Sequence, residues 1–153
     1  HLSIRRQRQM CIRDRPNLLV PELVSAIQAS RAPRLYICNL MTQPGETDGL
    51  DVGGHLRAIE AQLASVGISQ RLFTAVLAQD DLGSSPLVEH YRTRGADPVI
   101  CNQESLRQDG YDVMQAPLQG ARPTATLRHD PRSLALAVMR FYRKHRRESG
   151  SRD

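Results

Sequence analysis

The sequence predicts an α/β protein: a parallel sheet with helices on both faces, Rossmann-like in plan. Three observations point there. Short, continuous apolar runs (Leu35–Cys38, Leu72–Leu77) alternate with longer stretches of helical periodicity. An unbroken apolar run, rather than an in–out alternation, marks a strand buried on both faces. Proline and glycine stand where helices should start and stop, at Pro21, Gly67 and Pro131. Strand and helix taking turns in this way implies parallel strands joined by helical crossovers.

In chain order, Pro21 opens a helix that runs to about Ser30, with Pro in its first turn. Leu35–Cys38 is the first strand, and a turn-rich loop follows from Asn39 to Gly49. A helix is expected from Asp51 to Val66, with Leu56, Ile59 and Leu63 as its apolar stripe and Gly67 as its stop. Leu72–Leu77 is the second strand. The loop from Gln79 to Ser85 then leads into a short helix over Pro86–Thr93. Val99–Cys101, Asp112–Gln115 and Thr124–Leu127 are weaker strand candidates, and a last helix runs from Pro131 to about His145.

Composition removes several functional classes. Hydrophobic residues make up 40% of the 153 and charged residues 24%, the balance of a globular domain. No apolar run approaches the ~18 residues of a membrane-spanning helix, and no secretory leader is legible at the amino end, so the expectation is a cytoplasmic protein without membrane partners. Three scattered cysteines (Cys11, Cys38, Cys101) form neither a disulfide framework nor a CxxC zinc pair. The net charge of +5 is uneven. Residues 1–15 carry +4 and residues 140–153 carry +4, while residues 16–139 carry −3. Two solvated basic ends around a mildly acidic body, with only 4% aromatics and no Trp, argue against nucleic acid.

Residues 1–15 (HLSIRRQRQMCIRDR) have no periodicity and no capping pattern, and resemble translated adaptor sequence. They are set apart as a non-native segment. Residues 16–146 are read as the C-terminal part of a single α/β domain, and residues 147–153 as a disordered basic tail.

In open parallel sheets, ligands bind beyond the carboxyl ends of the strands. The loop after the first strand, Tyr36-Ile-Cys-Asn-Leu-Met-Thr-Gln-Pro-Gly-Glu-Thr-Asp-Gly49, is the richest such place. Pro44-Gly45 fits a type II turn. Asn39, Thr42, Gln43, Glu46, Thr47 and Asp48 crowd the loop with hydrogen-bonding side chains. Two readings stand: an elaborate turn capped by Asp51 at the next helix, or a ligand site. Glu46, Asp48 and Asp51 would repel a bare diphosphate but suit sugar hydroxyls and base edges, which places phosphates elsewhere. Arg128 is the candidate for them, the plainer reading being a surface arginine paired with a nearby acid such as Asp130. Arg128 ends a strand next to a helix N-terminus, and its fork matches a phosphate. Asp130, before Pro131, is a natural N-cap.

The remaining candidates have plainer readings. His55 could face the site but reads rather as a polar surface histidine, and His90 and Tyr91 as surface or packing residues. Cys38 is a small core residue rather than a nucleophile. Asp80-Asp81 and Ser84-Ser85 could hold a cation, but two acids in a loop are a weak signal. GxSxG, HExxH and Walker motifs are absent, so no catalytic residue, metal ligand or cofactor is assigned.

YICNLMTQPGETDG, followed by a helix with His55 and Ala58-Ile59, resembles the gluconeogenesis factor family of bacteria, as do Pro16-Asn-Leu-Leu-Val and Arg128-His129-Asp130. The resemblance spans residue 16 to about 140. The related phospholactate transferases of deazaflavin-cofactor synthesis have an SPI-type motif at this strand end, which this chain lacks. Family members begin with a GGGTG-like phosphate loop and carry GPGSLYTS, and neither occurs here, so the N-terminal part of the sheet is expected to be missing. The resemblance implies a non-catalytic, nucleotide-sugar (UDP-sugar)-binding regulator of carbon metabolism and cell shape. Its ligand would be lined by Asn39, Thr42, Gln43, Glu46, Thr47, Asp48 and Arg128, with room for a homo-oligomer. The alternative is a nucleotide-dependent transferase of a phosphorylated small acid, with Asp48 the local candidate for a base or a Mg²⁺-holding carboxylate.

Overall fold

A computed structural model of the chain describes Leu18, residues 20–119 and residues 126–150. The adaptor-like segment, most of the Pro16–Val20 match, Thr124 and the last three residues lie outside them. The elements are α1 (Pro21–Ala29), β1 (Leu35–Ile37), α2 (Val52–Ser65), β2 (Ala75–Gln79), α3 (Pro86–Arg92), α4 (Gln103–Gln108), β3 (Asp112–Ala116) and α5 (Pro131–Gly150). The strands form one sheet in the order β1-β2-β3, both pairs parallel. Tyr36 stands opposite Val76, and Val76 opposite Val113.

β2 is the central strand, and every residue in it is buried. Its side chains alternate between two cores, as the period of two demands. Val76 and Ala78 pack with Val52 and Leu56 of α2, Leu106 of α4 and Val113. Leu77 faces the other way, towards Val88 of α3, Leu118, Leu127 and Ala137 of α5. Helices therefore cover both faces, as the unbroken apolar runs predict. α1 adds a smaller cluster, in which Val24 meets Ile59, Leu63 and Leu72.

The helix starts follow their local chemistry. The Asp51 carboxylate accepts the Gly54 N–H at 2.6 Å, and Ser85 accepts from Val88 ahead of Pro86. Gly67, at φ +83°, follows the end of α2 in the left-handed conformation that stops it.

Four expectations shift. β2 begins at Ala75 rather than Leu72, because Leu72 is buried against α1 and α2 before the chain enters the sheet. Val99–Cys101 is not a strand: its backbone bonds to Leu40 and Val52 flank a lone antiparallel bridge, Met41 to Pro98, and α4 follows. Thr126 and Leu127 are outside any strand. α5 continues past His145 to Gly150, over positions expected to belong to the tail. No helix among the described residues is long and apolar enough to cross a membrane.

Candidate functional site

The chain leaves β1 at its carboxyl end and turns back on itself. Gln43 C=O accepts the Glu46 N–H at 2.9 Å, and Gly45 takes φ +77°, so Pro44-Gly45 forms the type II turn its sequence requires. The base of this loop is pinned to the segment after α3. Thr42 N–H donates to Asp97 C=O at 2.7 Å, and Thr42 Oγ1 accepts the Asp97 N–H at 2.8 Å. On the far side, residues 127–130 descend from Leu127 into α5. Between these two segments lies a cleft of about 270 Å³ at the carboxyl end of the sheet.

The seven residues singled out in the sequence separate here. Asn39, Thr42, Gln43 and Arg128 line the cleft. Arg128 lies 89 residues from Asn39 in sequence, yet the two line the same cleft. Glu46, Thr47 and Asp48 do not line it. Thr47 Oγ1 accepts the Gln43 N–H at 2.8 Å, and Asp48 Oδ2 accepts the Gly45 N–H at 2.7 Å, so both hold the turn. Glu46 is exposed. Five lining residues were not among the seven: the apolar Leu40, Met41 and Leu127, and the polar Tyr91 of α3 and His129. Tyr91 carried no signal beyond its amphipathic helix. His129 was visible only as the middle of Arg-His-Asp.

The Arg-His-Asp segment is held by its neighbours. His129 Nε2 lies 3.1 Å from the Cys38 carbonyl; a carbonyl can only accept, so the nitrogen carries the proton. Burial pushes this imidazole below its ordinary value of 6.5, against the opposing pull of the carbonyl. Asp130 caps α5, accepting from Ser133 N–H at 2.8 Å, and the hydrogen bonds from Ser133 hold its carboxyl below the usual 3.8. Arg128 is exposed and, among the described residues, has no carboxylate partner.

The other candidates sort by burial. Cys38 is 1% exposed, and burial pushes its thiol up to about 12, which makes it an inert core residue. His55 is not on the surface: it is buried in α2, with Nδ1 3.3 Å from the Tyr36 hydroxyl, because the first turn of α2 packs beneath β1. Asp80 accepts from Gln79 Nε2, and Asp81 from Gly83 N–H. Among the described residues no group of three His, Cys, Asp or Glu is placed to hold a metal ion. Gln79 itself, expected in a loop, ends β2 and ties it to the exit of β3: its Oε1 accepts the N–H groups of Leu118 and Gln119.

The family model for 2-phospho-L-lactate transferase CofD matches residues 15–119, which includes all three strands and the polar loop. The chain belongs to the CofD family. Within it, its relatives are gluconeogenesis factors. The gluconeogenesis factor of Halalkalibacterium halodurans is 40% identical over 95 residues, covering 62% of this chain and 28% of that protein. A relative from Nostoc sp. is 38% identical over 127 residues, covering 83% of this chain. A crystal structure of a UPF0052 family member from Bacillus halodurans superposes with a TM-score of 0.70 at 31% identity, over 81% of this chain and 38% of that one. The chain thus spans 27% of the Nostoc relative's length. Arg128 to Asp130 fall beyond the segment that the CofD family model matches.

Proposed function

We propose that this CofD-family chain supplies one end of the ligand site of a nucleotide-sugar-binding regulator, with a UDP-sugar as ligand and carbon metabolism and cell shape as its targets. Arg128 is the observation that carries the reading. Its exposed guanidinium edges a cleft of mixed polar and apolar lining at the carboxyl end of a parallel sheet, and the acid that could have neutralised it, Asp130, is occupied by the cap of α5. A guanidinium in that position suits a phosphate, which it can grip through two parallel hydrogen bonds. The amides of Asn39 and Gln43 suit sugar hydroxyls or a base edge. Clefts that enclose drug-sized ligands run to ~300–1,000 Å³. At about 270 Å³, this one matches part of a nucleotide sugar.

The transferase reading draws support from the name of the family model, 2-phospho-L-lactate transferase. It needs a carboxylate beside the phosphates, as base or as metal ligand. None of the described residues lining the cleft is a carboxylate, and Asp48 is turned to Gly45 outside it. This favours binding over transfer. Titration of the protein with UDP-glucose, followed by product analysis after mixing with a nucleoside triphosphate, Mg²⁺ and phosphorylated small acids, decides between them. The regulator reading expects saturable UDP-glucose binding and no new product. Transfer of the small acid onto a nucleotide would overturn it.

A further inference from the structure

Residues 127–130 are anchored on every side except at Arg128. Leu127 is buried, and its N–H donates to the Tyr91 hydroxyl at 3.3 Å. Asp130 N–H donates to Leu118 C=O at 2.7 Å, and its carboxylate caps α5. Between these two anchors, His129 sends its ring across to the carboxyl end of β1, where Nε2–H donates to Cys38 C=O at 3.1 Å. Cys38 is itself fixed: it is buried, and its N–H donates to Leu77 C=O at 2.9 Å. The bond joins residues 91 positions apart and closes the cleft at its base, linking the wall that carries Arg128 to the wall that carries Asn39.

We propose that His129 is a positioning residue: by tying the entry of α5 to the end of β1, it fixes the backbone from which Arg128 reaches into the cleft. The inference rests on the reading of Arg128 as a phosphate contact. Its physical basis is preorganisation. An arginine on a mobile loop must lose backbone freedom when it grips an anion, whereas one on an anchored loop has already lost it on folding. The bond needs a neutral or protonated ring with hydrogen on Nε2, and both forms supply one. Gln can present an N–H near the position of Nε2, whereas Asn reaches only as far as Nδ1.

The test compares wild type, His129→Gln, His129→Asn and Arg128→Ala, by titration with UDP-glucose and by the NMR backbone order parameter at Arg128. The expected result is an ordered Arg128 in wild type and His129→Gln, at about 0.85, falling below about 0.6 in His129→Asn. Affinity for UDP-glucose should fall roughly three- to tenfold in His129→Asn and recover in His129→Gln. An equally ordered Arg128 in all the folded variants, or a mobile one in wild type, would overturn the positioning role. Absence of UDP-glucose binding in wild type would overturn the functional reading instead, and the order parameters would still decide the role of His129.

Discussion

Arg128 lines the cleft while Asp130, two positions on, caps α5, and the two answer to different physics. Asp130 satisfies the orphan N–H of Ser133 at the start of α5, as a cap should. Asp130→Asn keeps a capping oxygen but loses the charge that favours a helix N-terminus, so it is expected to lower Tm while leaving ligand affinity unchanged. Paired thermal melts and titrations check this. Thr42 lines the cleft too, but its hydroxyl is occupied by the Asp97 N–H and it is buried. Thr42→Val keeps the shape and leaves that donor unpaired, which should cost about 1–3 kcal/mol in urea unfolding. A loss of affinity without any loss of stability would make Thr42 a ligand contact instead.

At the scale of elements, α5 is held to the sheet by groups whose protonation matters. Its entry carries His129, and further along Lys144 Nζ reaches both carboxylate oxygens of Asp112 in β3, at 2.8 and 2.6 Å. Burial alone would raise the Asp112 carboxyl, but the hydrogen bonds and charges of Lys144 and His145 outweigh it and hold it below 3.8. The His129 ring is depressed below 6.5 by burial. In both cases the unfolded chain binds the proton more readily, so stability rises with pH across the gap between the two values. The His129 contribution is complete above pH 6.5 and is lost as pH falls through its depressed value; the Asp112 contribution follows only below 3.8. Urea midpoints measured across these ranges should therefore fall in two stages. His129→Gln should remove the first stage and leave the second.

Elements also show what the sequence could and could not disclose. β1, α2 and α3 were legible because each carries its own signal: an unbroken apolar run, an Asp51 cap with a Gly67 stop, and a Ser85-Pro86 start. α4 was not, because six residues with a single buried side chain, Leu106, leave no periodic stripe to detect. The start of β2 slipped because Leu72 is apolar for the sake of α1 and α2, and Phe73 packs its ring on Tyr36 of β1 without joining the strand ladder. In the polar loop, position in the fold was legible but the division of labour was not. Nothing in the sequence separates Thr47 and Asp48, which hold the turn, from Asn39 and Gln43, which face the cleft.

For the whole molecule, the described sheet has three strands, with β1 and β3 at its edges. Leu136, Met139 and Tyr142 of α5 are about half exposed, on one side of a helix at intervals of three. Open strand edges and an apolar helix face both favour contact with another chain. Sedimentation velocity on the 153-residue chain should show self-association that grows with concentration; a monodisperse monomer with a sharp cooperative melt would contradict this. The proposed site makes a narrower demand: the cleft at the end of β1 should take a nucleotide sugar, with Arg128 on its phosphate. Calorimetric titration of UDP-glucose into wild type and Arg128→Ala tests it most directly. Saturable heat is expected for wild type and none measurable for Arg128→Ala, with both proteins equally folded. Equal affinity in the two would contradict it.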